Sequence, residues 1–397
     1  ASNYSGGGGG AYGSDDRYYD WRDSGGSTSG GHGSMQVFNL DLTETLFGFN
    51  GLNQSGRMGI GNQNTPGAGD TDWTFGPNAS SFTIRNLEVW VNADQEAFTW
   101  DGLGDGNWTD ERWTGGSGYP STNSVVITQN DTVSVTGDQQ AWKLTVGSGN
   151  VEIGPGASLT LGSSTGIVVH FGAMLTLNGG TTGASLITTA GGGWISSLAV
   201  NGQGTISNAD NLSVDTFSDG GAAATIIKQG AGDLVLAAAT ANTITSGTSF
   251  DVQAGRLVAV HNAGNNALGD GLVTLNGGGL GLSSTAAATF DNAVTVAQSG
   301  AITAQNVTPG VDGQTVTLGS ASRGISVSSG QTLTLATANS YTLAVDGTIS
   351  GSGALAISGN SGVVQLNAAN SYEGQTTVLS GGRLAVQNAG ALGTAAA

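Results

Sequence analysis

Short apolar pairs set around one central residue recur through most of this chain, and they limit what it can fold into. Val125-Val126-Ile127, Val133-Ser134-Val135, Leu144-Thr145-Val146, Val151-Glu152-Ile153, Leu159-Thr160-Leu161 and Leu175-Thr176-Leu177 open the series. Leu234-Val235-Leu236, Val273-Thr274-Leu275, Val294-Thr295-Val296, Leu333-Thr334-Leu335 and Leu384-Ala385-Val386 carry it on. Two inward side chains and one outward one per triplet fit a strand with one buried face. Gly, Asn and Ser lie between the triplets, where a corner needs positive φ. Strands this short do not hold as isolated hairpins. They make sense as stacked coils, each covering the apolar face of the next. Three strands per coil predicts about 20–25 residues per coil and roughly ten to twelve coils over 124–397. At ~4.8 Å per coil the stack is about 50–60 Å long. A series of β-sandwiches would need longer strands, less closely spaced.

One unit occurs twice in extended form. Gly255-Arg256-Leu257-Val258-Ala259-Val260 matches Gly382-Arg383-Leu384-Ala385-Val386, and Asn262 to Gly269 matches Asn388 to Gly393. Lys228 to Leu236 and Ile357 to Leu366 are the related lead-ins. These residues resemble the autotransporter-associated β-strand repeat of bacterial surface and secreted passenger proteins. The resemblance implies a right-handed parallel β-helix exported beyond the cytoplasm, and it names no ligand. The fold class expected is therefore all-β: a parallel β-helix with an N-terminal β cap or partial jelly roll and a glycine-rich tail.

The chain divides by composition. Residues 1–34 are low-complexity, with Gly6 to Gly10 a pure glycine run. They read as a flexible linker. Alternatively, Tyr18, Tyr19 and Trp21 form an assembly segment that orders on a neighbour, because such rings are costly to leave in water. Residues 35–97 read as strands. Met35 to Leu42 alternates, and Ser81 to Val91 changes face near Arg85-Asn86, as at a bulge. The run Phe82-Thr83-Ile84-Arg85-Asn86-Leu87-Glu88-Val89-Trp90 resembles the last strands of a laminin-G or concanavalin-like jelly roll. It covers only part of such a domain, so the reading is a small cap or the end of a sandwich begun upstream. Residues 98–123 are a Trp-rich junction, with Trp100, Trp108 and Trp113 among Asp, Gly and Asn, ending at Tyr119-Pro120. This resembles the opening motif that precedes β-helices in exported bacterial repeat proteins. The first coil of a solenoid has an open apolar end, and large rings shut it against water. Residues 124–397 are the repeats.

Composition excludes several functions. A formal net charge of −18 opposes nucleic acid, which needs clustered Lys and Arg, and opposes anionic lipid. Lys143 and Lys228 are the only lysines. No cysteine is present, so there is no disulfide and no thiol chemistry. No apolar run approaches the ~18 residues that span a bilayer, so no direct membrane insertion is expected. No basic, then apolar leader opens the sequence. Any export signal is expected to be removed or to lie outside it, in a longer protein.

Enzyme chemistry finds little to work with. His32, His170 and His261 stand apart, without the clustered ligands of a zinc site. No Gly-x-Ser-x-Gly elbow sits on a strand-to-helix turn, and the chain is read as no enzyme. Asp101, Asp105 and Asp110 share one loop. They read as turn caps, with calcium ligation the alternative, since calcium favours loop carboxylates and carbonyls. No other cofactor is implied. Trp73, Trp90, Trp100, Trp108 and Trp113 are end-capping aromatics or sugar-stacking platforms. Arg256 and Arg383 read as stems packed along the solenoid. Asn178, Asn276 and Asn367 each close a strand, where stacked coils would make an Asn ladder.

The function expected is an extracellular or bacterial cell-surface structural or adhesive β-solenoid that self-associates into a fibre or matrix. A carbohydrate-binding module over 35–120, with surface glycans as partners, is the alternative. A polysaccharide-degrading β-helix ranks last.

Overall fold

The computed structural model describes residues 97–394, apart from 117, 238–241, 262–265, 306–311, 339 and 360. The glycine-rich segment, the partial jelly roll and Tyr18, Tyr19, Trp21, Trp73 and Trp90 lie outside the described residues.

Among the described residues all regular structure is strand, wound as a parallel β-solenoid of about 12 turns. Each turn carries up to three short strands, and apart from Trp113–Thr114 the strand pairings are parallel, one turn to the next. On face I the inward row runs Phe98, Val125, Leu144, Ile167, Gly193, Leu212, Leu234, Leu257, Leu280, Ile302, Leu335, Ile357 and Val378, each the Cα partner of the next. Successive members are about 19–33 residues apart, close to one repeat of a solenoid. Except for Gly193 and the last member, these side chains are at most 5% exposed. Burying each such Val, Leu or Ile contributes about 1.5–3 kcal/mol.

Face III runs from Asp138–Ala141 through Ser158–Leu161, Thr225–Gln229, Ser249–Val252, Leu272–Asn276 and Val294–Gln298 to Ile325–Val327 and Ile349–Ser350. Its outward row of Thr274, Thr295, Ser326 and Ser350 carries hydroxyls. Face II is interrupted. Its first run reaches the isolated Ser218–Thr243 bridge, and a separate five-stranded ladder resumes at Ala288–Phe290 and ends at Leu384–Val386. Two strands, Met174–Thr188 and Gly193–Asn208, run continuously round a corner. Gly202 makes this corner with φ +76°, and a Cβ there would stand 2.3 Å from the Gly180 carbonyl oxygen.

Two details depart from expectation. The Trp-rich stretch is itself the first described turn, because Phe98–Trp100 already pairs in parallel with Ser124–Ile127. The two copies of the long repeat also lie on different faces: Arg256–His261 is on face I, and Leu384–Val386 is on face II. The unit repeats strand for strand but is laid down one face out of phase. Three short strands per turn make the faces interchangeable for such a unit.

Candidate functional site

Three groups of residues carry polar or aromatic chemistry: the aromatic first turn, the buried corners of the middle turns and the outward arginines.

In the first turn, Trp113–Thr114 folds back antiparallel on Phe98–Trp100 and covers its free edge. Trp100, Trp108 and Trp113 are buried. Trp113 meets Trp100 edge-on at 4.9 Å and Trp108 at 5.3 Å between centroids. Each indole N–H has an acceptor: Trp108 donates to the Pro120 carbonyl at 3.1 Å, and Trp113 to the Trp108 carbonyl at 2.8 Å. Trp100 donates to Gly104 O and Asp131 Oδ2, both at 3.2 Å. A ring cluster with its donors satisfied closes the first turn and turns no open face to a sugar. The Arg112 guanidinium lies 4.5 Å above the Trp100 ring and bonds both oxygens of Asp101.

The three loop carboxylates are engaged separately. The Arg112 hydrogen bond, helped by the Leu103 N–H, holds Asp101 below its ordinary value, and Asp101 in turn raises Arg112. Asp105 accepts the Thr132 N–H at 2.7 Å, and Asp110 the Asn107 N–H at 2.7 Å. Asp110 caps its own turn, and Asp105 reaches the backbone of the next turn. Among the described residues, no three His, Asp or Glu side chains gather as a metal-holding group.

The buried corners were not singled out in the sequence. Lys228 occupies an inward position on face III, between Ile206 and Val252 in register, and is 1% exposed. Its ammonium turns into the corner and donates to the carbonyls of Gln229, Gly230 and Ala254 at 2.5, 2.9 and 3.1 Å. Burial lowers its pKa to about 8, against the opposing pull of Asp233. The glycines at the corner leave the room: a Cβ at Gly255 would stand 2.9 Å from Nζ. The signal in the sequence is parity, since Lys228 stands two residues after inward Ile226.

Asp219 is likewise buried. It accepts from Thr245 N, Thr245 Oγ1, Thr248 Oγ1 and Gly221 N at 2.5, 2.8, 2.7 and 3.0 Å. Burial alone would raise its pKa, but these donors outweigh it and hold the carboxyl low. Asparagines tie other turns. Asn242 and Asn370 stand at matching places in the two copies and donate to Ala267 O and Ala391 O of the next turn, at 2.8 and 2.6 Å.

Asn178 and Asn367 do not bond to other asparagines. Asn178 donates to Glu152 at 2.8 Å and Asn367 to Asp346 at 2.6 Å. Asn276 stands in register with Gln298. Arg256 grips both oxygens of Asp233 one turn back, at 2.9 and 2.5 Å, and reaches Gln305. Its head is therefore pinned as well as its stem. His170 and His261 lie edge-on against Trp194 and Phe290 at 6.3 and 5.7 Å.

These contacts join one turn to the next, and they brace a stack. Comparison of the chain with family models, with curated proteins and with solved structures finds no match.

Proposed function

We propose that this chain is the stiff body of an extracellular or bacterial cell-surface protein, structural or adhesive in role, that self-associates into a fibre or matrix. The observation that carries this reading is the register of face I, unbroken from Phe98 to Val378. Stacked turns about 4.8 Å apart make a body that holds its ends some 55–60 Å from each other. Such a body works passively, as a spacer. Two further features support export: the near absence of Lys and the outward rows of Thr and Ser, which suit a soluble solenoid surface. The two extended copies support repeats of the autotransporter-associated type, since they match down to the Asn242 and Asn370 bridges.

Thr376–Val378 and Leu384–Val386 form the last described turn. Val378 and Val386 continue inward rows, yet they are 51% and 47% exposed, whereas their partners Ile357 and Leu366 are fully buried. A further turn, from the same chain or from a second copy, would cover these side chains and pair with these strand edges. The test is negative-stain microscopy and sedimentation of the 397-residue chain across a concentration series, with and without EDTA. Rods that lengthen with concentration, and that shorten in a Val378→Asp, Val386→Asp variant, are expected. Isolated monomers at every concentration would remove the assembly part of the reading. A change with EDTA would support calcium as a ligand.

A further inference from the structure

We infer that the outer surface of face I carries a binding strip for an uncharged glycan chain, built on Trp142, Trp194 and Phe171. The outward row there runs Val126, Thr145, Val168, Trp194 and Ser213, each the Cα partner of the next. Trp142 stands at the corner that leads into this face and is 50% exposed. The six-membered part of its indole rests on Gly162 of the next turn, where a Cβ would come within 3.2 Å of Cε3. Its carbonyl accepts the N–H groups of Gly162 and Ser163, at 3.1 and 2.7 Å. The ring is therefore set on main chain on one side and open to solvent on the other.

Trp194 lies on the turn beyond, with the His170 ring edge-on against it at 6.3 Å. Phe171 follows His170 at the far corner of the face and is 91% exposed. Two turns, about 10 Å along the axis, and three residues, about 10 Å across the face, separate the tryptophans, so a chain longer than a disaccharide is needed to span them. Trp194 stands half-buried beside His170. Rigid rings with an open face, as Trp142 has, match the C–H faces of pyranose sugars. They lose little rotational freedom on binding, and the few polar groups beside them fix orientation. Exposed Thr165 supplies a hydroxyl at the Trp142 corner, bonded at 3.1 Å to that of buried Ser163.

Charge chooses among glycans. The chain carries −18 overall, which repels acidic polysaccharides. Lys143, the cation next to Trp142, is already partnered within the protein. A second copy is the weaker occupant, since exposed Trp142 and Phe171 stand at opposite corners of the face and do not form one continuous apolar patch. The strip stands on its own, apart from end-to-end assembly.

Calorimetry and affinity electrophoresis of the 397-residue chain with cellohexaose, mannohexaose and chitohexaose test it, with oligogalacturonate as the acidic control. Saturable binding to at least one neutral hexaose is expected, with oligogalacturonate weaker. The affinity is expected to fall at least about tenfold in Trp142→Ala and in Trp194→Ala, and Trp142→Phe is expected to retain most of it. Circular dichroism of each variant establishes that it is folded. The inference is overturned if no neutral hexaose binds, or if folded Trp142→Ala binds as the parent does. It is also overturned if sedimentation shows Trp142→Ala dissolving a dimer, which would make the strip an interface between copies.

Discussion

Leu257 and Leu384 occupy the same place in two copies of one sequence unit, yet Leu257 packs on face I and Leu384 on face II. The copies are five turns and one face apart. What the solenoid requires is a full circuit of three strands. A cut that removes one circuit should therefore be absorbed, and a cut that removes part of one should not.

Thr332 and Ala354 are Cα partners one turn apart. Deleting Thr332 through Gly353 brings Ala354 into the place of Thr332 and leaves each later strand on its own face. The shortened chain is expected to keep its far-ultraviolet circular dichroism per residue and a cooperative melt. Deleting only Thr332 through Thr342 is expected to unfold the later turns. Equal damage from both deletions would contradict the stacking.

Lys228 gives the fold an alkaline signature. Its ordinary pKa is 10.5, and burial brings it to about 8 in the folded chain. Between those values the unfolded chain keeps a proton that the folded chain gives up, so stability rises with pH across the interval. Tyr341 and Tyr372 act in the opposite sense. Burial raises both above 10.0, so their contribution is complete below pH 10 and is lost as pH climbs further. The melting temperature is expected to rise from about pH 8 towards pH 10 and then fall. Lys228→Met is expected to flatten the rise. A variant that still shows the full rise would remove Lys228 as its source.

Asp219 satisfies four donors from the next turn and its own corner. Asp219→Ala leaves them buried without an acceptor, at an expected cost of about 3 kcal/mol or more by urea titration. Because the carboxyl is held below 3.8, its contribution is present above that pH and is lost as pH falls below it. A loss under about 0.5 kcal/mol would mean that the corner is open to water.

Trp108 is fully buried and bonded to Pro120. Trp108→Ala is expected to cost about 3–5 kcal/mol and to expose the first turn to protease before the later ones. Unchanged stability would show that the rings do not close the stack.

The strands were legible because the inward pairs are nearly all Val, Leu and Ile, so parity can be read by eye. Leu333-Thr334-Leu335 and Val294-Thr295-Val296 fold as their pattern dictates. Asp101, Asp105 and Asp110 were placed in one loop; the bonds of Asp101 to Leu103 N and of Asp110 to Asn107 N are local turn chemistry, whereas Asp105 bonds Thr132 a full turn away. Lys228 and Asp219 were not legible, because part of each partner set lies a full turn away: the Ala254 carbonyl and the hydroxyls of Thr245 and Thr248. The Gln229 and Gly230 carbonyls are local to Lys228, but nothing adjacent in sequence shows the third, from Ala254, that completes the corner. The phase shift between the copies was hidden for the same reason. A strand's face is fixed by how many strands precede it, and its own residues carry no mark of the face.

Spin labels on face III test the central claim most directly, since the chain has no cysteine of its own. Thr295 and Ser326 are exposed Cα partners on adjacent turns. Nitroxides on Thr295→Cys and Ser326→Cys should show strong dipolar broadening, from backbones about 4.8 Å apart. Labels at Thr274 and Ser350, three turns apart in the same row, should show a separation near 15 Å between backbones. Widely separated labels at Thr295 and Ser326, with no broadening at either pair, would contradict the parallel stack.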